Sequence, residues 1–282
     1  SQFGVVKSCP ERSKHLETAT LRVFELSVDF VNLRREGYAA GSRVPTHIDF
    51  GTPEEDAMRR DITINALFYN VGTAEVEDWT GRGVADLRDG WIRTPLDPVQ
   101  TLLDDPLRLL RCIRFAARFG YRLNEELGRA LHDPAVLTAF RGKVSRERVG
   151  IEVYKMVGME RALWVAMRFL LDADIHALVV PTLSESIPRD GEWLYLRYYD
   201  LNKLLSDTGM PSKRLLALGT LCLHLAGRAV MAAVGEKAAS PRVHSATLVA
   251  IRDGLKLPTR DFDLVARLVD WSPRAPSIDF TD

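Results

Sequence analysis

DDPLRLLRCIRFAARFGY, residues 104–121, marks the point where this chain changes character. Pro106 suits the first turn of a helix, and Asp104 or Asp105 suits its N-cap. Leu107, Leu110, Ile113 or Arg114, and Ala117 recur at helical spacing, so one face is expected to be buried. Arg108, Arg111, Arg114, Arg118 and Arg122 follow at steps of three, three, four and four, which predicts a single cationic stripe. Between 108 and 148, ten Lys or Arg stand against four Asp or Glu, a local charge of +6 in a chain whose total charge is zero. A merely solvated helix face would interleave Glu with Arg. The asymmetry therefore points to phosphate, of a nucleotide or of RNA.

Asp105 and Arg108 admit a sharper reading. Three residues apart, both can project from one side of a helix start. Asp only accepts hydrogen bonds and Arg only donates them. Cytosine and adenine each present an amino donor beside a ring acceptor, which such a pair complements. Uracil and guanine would face it with like groups, which is costly when buried. An N-cap plus a salt bridge is the alternative use of the same two residues.

Outward from this stretch, the chain reads as a mixed α/β start and an all-helical remainder. Residues 21–34 alternate apolar and polar side chains and predict one or two strands. Residues 37–45 read as a polar loop, 54–69 as helical segments, and 75–79 and 91–94 as short strands around a turn at Gly81 and Gly83. Helices are expected at 101–119, 124–132, 145–157, 160–172, 193–206, 212–234, 243–253 and 260–270. The β portion is too small for a complete sheet with a buried face, so Ser1 is expected to lie inside a domain.

The 282 residues are 46% hydrophobic and 27% charged, which excludes disorder as the main state. Cys9, Cys112 and Cys222 are few, odd in number and far apart, against a disulfide framework or a cysteine zinc site. Reduced thiols suggest an intracellular, reducing setting, with cytoplasm, nucleus and mitochondrion not distinguished. The longest apolar run, 215–234, contains His224 and Arg228 and reads as a buried helix rather than a membrane span. The six histidines make no metal-ligand spacing.

Two further segments carry chemistry. EEDAMRRDITINA, 54–66, holds Arg59, Arg60, Asp61 and Asn65 beside an apolar stretch. Arginine forks suit phosphate oxygens, and Asp and Asn can bond ribose hydroxyls; a salt-bridged helix face is the plainer reading. VSRERVGIE, 144–152, reads as a helix start with Ser145 capping and Arg146, Glu147 and Arg148 in the first turn.

Taken together, these motifs resemble the class II tRNA nucleotidyltransferases, the CCA-adding enzymes, in particular their eukaryotic type; bacterial poly(A) polymerases share the architecture. RRDITINALFYN (59–70) is similar to the family's R-R-D-x-x-x-N-A motif. DWTGRGVADLRDGWIR (78–93) is similar to its D-x-x-x-G-x-x-D-L-x-x-x-x-I-R linker. DDPLRLLRCIRFAARFGY resembles E-D-x-x-R and its helix, with Asp104 in the Glu position. VSRERVGIE, HLETATLRVF (15–24) and VDFVNLRRE (28–36) extend the likeness over about 10–155, with a loose further likeness at 255–263.

The resemblance implies an α+β chain: a truncated polymerase-beta-like nucleotidyltransferase head over 1–95, a helical neck over 96–155, and a helical body over 156–282. It implies a transferase adding C and A to the 3′ end of tRNA from CTP and ATP. An A-adding or poly(A)-adding enzyme, or a non-catalytic RNA-binding remnant, is the alternative. Arg59, Arg60, Asp61, Asn65 and Arg111 would help hold the nucleotide, and Asp105 with Arg108 would template its base. Asp86 and residues 81–83 would form a hinge. Arg114, Arg118, Lys143, Arg146 and Arg148 would hold the tRNA acceptor end. The expected partners are tRNA and nucleoside triphosphates, with no membrane and no obligate protein partner.

One departure matters. The family head opens with a Gly-Gly-x-V-R-D loop followed by a D-x-D pair that binds Mg²⁺, and that arrangement does not occur in 1–282. Asp29 lies where a third head strand should run, but one carboxylate cannot replace the pair. The chain alone is therefore expected not to polymerise.

Overall fold

Asp105 sits in extended backbone, φ −138° and ψ 98°. That is the conformation forced on a residue before proline, and it breaks the helix expected at 101–119 into two. The computed structural model describes residues 3–6, 18–37, 47–157, 165–166, 168–170, 175–179 and 256. The elements are β1 (Phe3–Val6), β2 (Thr18–Val23), β3 (Leu26–Val31), β4 (Arg34–Gly37), β5 (His47–Phe50), α1 (Pro53–Met58), a 3₁₀ turn (Thr63–Ala66), β6 (Phe68–Asn70) and β7 (Glu75–Glu77). There follow α2 (Gly83–Asp89), β8 (Trp91–Ile92), α3 (Pro98–Asp104), α4 (Arg108–Phe119), β9 (Arg122–Leu123), α5 (Glu125–Ala130), α6 (Pro134–Lys143), α7 (Arg146–Val157) and α8 (His176–Val179).

Strands β1, β2 and β3 form an antiparallel sheet, with Thr20 opposite Asp29. Phe24 and Glu25 connect β2 to β3 at positive φ, the pattern of a type I′ hairpin turn. The strands expected within 21–34 are therefore present. The hairpin of β4 with β5 was not expected: the strand reading stops at 34 and the polar loop reading begins at Gly37. Residues 38–45 of the expected loop lie outside the described residues.

Two pairings and a helix correct the sequence reading. Strand β7 pairs with β6, not with the segment after Gly83, so Phe68–Asn70 ends as strand where helix was expected. Strand β8 pairs in parallel with β9. Between β7 and β8, 83–89 is a helix and not a turn, closed by Gly90 at φ +75°. Gly83 is required by contact: a Cβ there would lie 2.8 Å from the Thr63 carbonyl oxygen and from Leu67 Cδ2. Helix α6 was also unread. Pro134 opens it, and Asp133 Oδ1 accepts from Ala135 N at 2.8 Å and Val136 N at 3.3 Å.

The chain divides into two compact units. The first comprises 1–112 and 121–143; its core includes Ile62, Ile92, Leu102, Leu109, Leu110, Leu127 and Phe140, all 2% exposed or less. The second comprises 113–120 and 144–282; its buried side chains include Ile113, Ala116, Val149, Val153, Met156, Leu170 and Ile175. Only residues at its start and a few beyond 157 are described, so the helices expected at 193–206, 212–234, 243–253 and 260–270 lie outside the described residues, as does most of 160–172. No described helix is long and apolar enough to cross a membrane.

Candidate nucleotide-binding site

Helix α1 begins with a full capping box, Thr52 with Glu55, which fixes its first turn. That turn carries Asp56 inward. Asp56 Oδ1 accepts from Arg59 Nε at 2.9 Å and Arg34 N at 3.2 Å; Oδ2 accepts from Arg60 Nε at 3.0 Å and Nη2 at 2.8 Å. Burial alone would raise the Asp56 carboxyl. The hydrogen bonds from Arg59 and Arg60, the Arg59 charge and the Arg34 amide outweigh it and hold the group below its usual value. Sequence reasoning gave Asp56 no role. The signal was there in its spacing, three and four residues before the two arginines.

Asp61 is buried and joins two distant motifs. Its Oδ1 accepts from Ile62 N at 3.0 Å and Asn65 Nδ2 at 3.3 Å, and its Oδ2 accepts from Arg111 Nε at 2.7 Å. Arg108 makes a second tie: Nη2 donates to the Arg59 carbonyl at 2.6 Å and Nη1 to the Thr101 carbonyl at 3.2 Å. Arg60 Nη1 donates to the Asn65 carbonyl at 2.9 Å, and its guanidinium lies 5.0 Å from the Phe68 ring centroid. Arg59, Arg60, Asp61, Asn65, Arg108 and Arg111 thus form one bonded cluster. Arg59 and Arg60 pair with Asp56 and Arg111 with Asp61, while Arg108 bonds carbonyls, so four arginines against two aspartates leave two excess positive charges, suited to an anion.

Asp105 is half-buried, and its Oδ1 accepts from Leu107 N at 3.3 Å, the capping use weighed above. Asp104 is not a cap; it accepts from Gln100 Nε2 at 2.7 Å. Arg108 is 9% exposed, and its two backbone bonds use two of five guanidinium N–H donors.

Asp86, expected in a hinge, and Asp78, in the linker motif, also have partners. Asp86 is buried, accepts from Thr63 Oγ1 at 2.7 Å and faces Arg93 Nε at 3.3 Å. Asp78 accepts from Thr80 Oγ1 at 2.8 Å and Val84 N at 3.0 Å. Burial would raise Asp78, but these donors hold it below its usual value.

The single cationic stripe is not what the structure presents. The helix stops at Phe119, so Arg122 falls in β9, over the Trp91 ring. Arg108 and Arg111 are engaged as above. Arg114, expected at RNA, is buried: its Nε meets Glu152 at 2.6 Å, and Lys155 Nζ meets the same carboxylate at 2.8 Å. An apolar-spaced arginine is buried here because a glutamate 38 residues later compensates it. Burial would raise Glu152, but the bonds from Lys155 and Arg114 hold it low. Arg146, also expected at RNA, donates instead to the Leu178 carbonyl at 2.8 Å and to the Val179 carbonyl, satisfying the end of α8. Lys143 donates to the Leu103 carbonyl at 3.3 Å. Arg148 is half-buried and engaged. Arg118 is exposed, over the Phe119 ring. Asp29 is exposed on β3, where Thr20 Oγ1 donates to it at 2.7 Å.

Residues 1–93 match the Poly A polymerase head domain. Over 148 residues the chain is 57% identical to the mitochondrial CCA tRNA nucleotidyltransferase of Candida glabrata and 58% identical to that of Saccharomyces cerevisiae. Each match covers 52% of this chain but only 28% and 27% of those relatives, so the chain spans roughly a quarter of their length. Its fold is that of solved CCA-adding enzymes. The Thermotoga maritima enzyme complexed with tRNA matches at TM-score 0.63 and 20% identity, over 96% of this chain and 56% of that one. A CCA-adding enzyme complexed with CTP matches at TM-score 0.64 and 21% identity, over 97% of this chain and 57% of that one. With residues 1–93 matching the head domain, these relatives and these neighbours, the chain has the polymerase-beta-like α+β fold of the CCA-adding enzymes and is similar to them in the motifs bonded into this cluster.

Proposed function

We propose that this chain carries the nucleotide-selecting part of an enzyme that adds C and A to the 3′ end of tRNA, with CTP and ATP as substrates. The observation that carries the reading is the bonding of 59–65 to 108–111 through Asp61–Arg111 and Arg59–Arg108. Fifty residues apart in sequence, the two motifs meet where an arginine-rich cluster can hold phosphates and Asp105 with Arg108 can read a base edge. The pair selects by hydrogen-bond polarity: its acceptor and donor match cytosine and adenine and face like groups on uracil and guanine. The relatives act on tRNA by name, and two structural neighbours hold tRNA and CTP, which supports those partners here.

Mg²⁺ does not fit the described residues. No group of three or more His, Cys, Asp or Glu among them can hold a metal, and Asp29 is a lone strand carboxylate occupied by Thr20. The D-x-D strings at 172–174 and 261–263 lie in the helical part of the sequence and outside the described residues. In this reading, 1–95, 96–155 and 156–282 are head, neck and body. Arg118, Lys143 and Arg148 remain the candidate contacts to the acceptor end, and the relatives' names favour a mitochondrial setting among the intracellular ones. The test is Asp105→Asn, with Arg108→Ala beside it, in an enzyme that contains this chain and a complete head. Selection of CTP over UTP should fall more than tRNA affinity does. Unchanged nucleotide choice refutes the role.

A further inference from the structure

A cavity lies in the first unit, next to the cluster just described at Thr63 but formed by other side chains. It has a volume of about 770 Å³, and none of Arg59, Arg60, Asp61, Asn65, Asp105, Arg108 or Arg111 lines it. Its walls come from the 80–82 turn, the 93–99 segment and the 126–133 end of α5.

Three cationic or N–H-bearing side chains line it without an adequate acceptor. Arg82 and His132 are exposed and have no side-chain partner among the described residues. Arg93 approaches Asp86 at 3.3 Å through Nε, yet that nitrogen is buried and makes no hydrogen bond; the rest of its guanidinium has no other partner among the described residues. The wall has three carboxylates: Glu126 is exposed, alongside Arg129 as a further cation, and the other two cap helices. Asp97 Oδ1 accepts from Gln100 N at 2.9 Å, and Asp133 Oδ1 accepts from Ala135 N at 2.8 Å. These are helix caps, so one oxygen of each already faces backbone amides. Beside the cations, Pro95, Leu96 and Val99 supply an apolar wall, and Leu96 is 50% exposed.

We propose that this cavity is a second nucleotide site. A phosphate is held by Arg82 and Arg93 with His132 at the edge, and a base lies against Pro95, Leu96 and Val99. Arginine forks match phosphate oxygens, and a planar ring covers apolar surface that a bare phosphate would leave wet. The volume suits a nucleotide-sized ligand better than an inorganic anion. A free nucleotide and one unit of an RNA strand share this chemistry. The inference does not depend on the proposed function, because it uses none of the residues assigned there.

The test is photo-crosslinking of the 282-residue chain with 8-azido-AMP, and separately with an oligoadenylate carrying one 8-azidoadenosine, with adducts mapped by peptide mass spectrometry. Adducts within 94–99 or 126–133 are expected. The double variant R82A/H132A alters two exposed side chains and should leave the fold intact, as read by circular dichroism. It should weaken binding at these adducts by about tenfold or more, the effect of losing charge-assisted hydrogen bonds to phosphate. Labelling by 8-azido-AMP assigns the site to a free nucleotide; labelling by the oligomer alone assigns it to RNA. Adducts only outside these segments, or labelling unchanged in R82A/H132A, overturn the proposal.

Discussion

Replacing Asp56 by alanine should loosen the whole nucleotide cluster. The carboxylate is almost fully buried and receives N–H donors from Arg34, Arg59 and Arg60. Removing one partner of a buried ion pair costs about 3–5 kcal/mol, because the charge left behind is uncompensated. Here the orphaned guanidiniums of Arg59 and Arg60 are 19% and 35% exposed, so water recovers part of that loss. The discounted expectation is about 2–3 kcal/mol, or roughly 4–12 °C in Tm for a body of this size. Urea unfolding at pH 7 measures it, with nucleotide binding read beside it at a temperature where both proteins are folded. The sign with pH follows. Asp56 is held below its ordinary value of 3.8, so its contribution is complete above that pH and is lost as pH falls through the lowered folded value. The Asp56→Ala protein and the unaltered one should therefore converge in strong acid. A stability at pH 7 within about 0.5 kcal/mol of the unaltered protein would refute the reasoning, since that is the range of surface substitutions without a buried partner.

Three further outcomes are expected. A double-mutant cycle of Asp61→Ala and Arg111→Ala should give a coupling of about 1 kcal/mol in unfolding free energy, modest because Arg111 is 34% exposed; additive effects would deny the link between the motifs. Glu152→Gln should cost about 2 kcal/mol at pH 7 and flatten the acid limb below the ordinary 4.5, because the carboxylate held low by Lys155 and Arg114 despite its burial no longer takes up a proton; an unaltered pH profile contradicts this. Gly83→Ala should cost about 1–3 kcal/mol, since the added methyl would lie 2.8 Å from the Thr63 carbonyl oxygen; a neutral effect in thermal unfolding would show that the segment yields freely.

What could be read from the sequence was what depends on local chemistry. The Asp105 cap before Pro106 and the 146–157 helix are set by residues within a turn of each other, and the motifs at 59–65 and 104–121 hold the residues that the structure bonds into one cluster. The stripe of arginines failed for the opposite reason. Helical spacing says which side chains share a face, but not whether that face meets water or a carboxylate far along the chain. Glu152 and Asp61 turn Arg114 and Arg111 inward, and neither lies in the 108–122 window. The β4–β5 hairpin was missed because Arg34–Gly37 has no apolar alternation; a cross-strand partner, not propensity, makes it a strand. Helix α6 was missed although Asp133-Pro134 is an opening signal, because no strong apolar period follows it.

The most direct measurement is the equilibrium affinity of the 282-residue chain for CTP, ATP, UTP and GTP under one set of conditions. An Asp–Arg reader at the start of α4 predicts that CTP and ATP bind about tenfold more tightly than UTP and GTP, and that Asp105→Asn narrows the gap. Equal affinity for all four nucleotides would contradict the claim that this cluster selects the base.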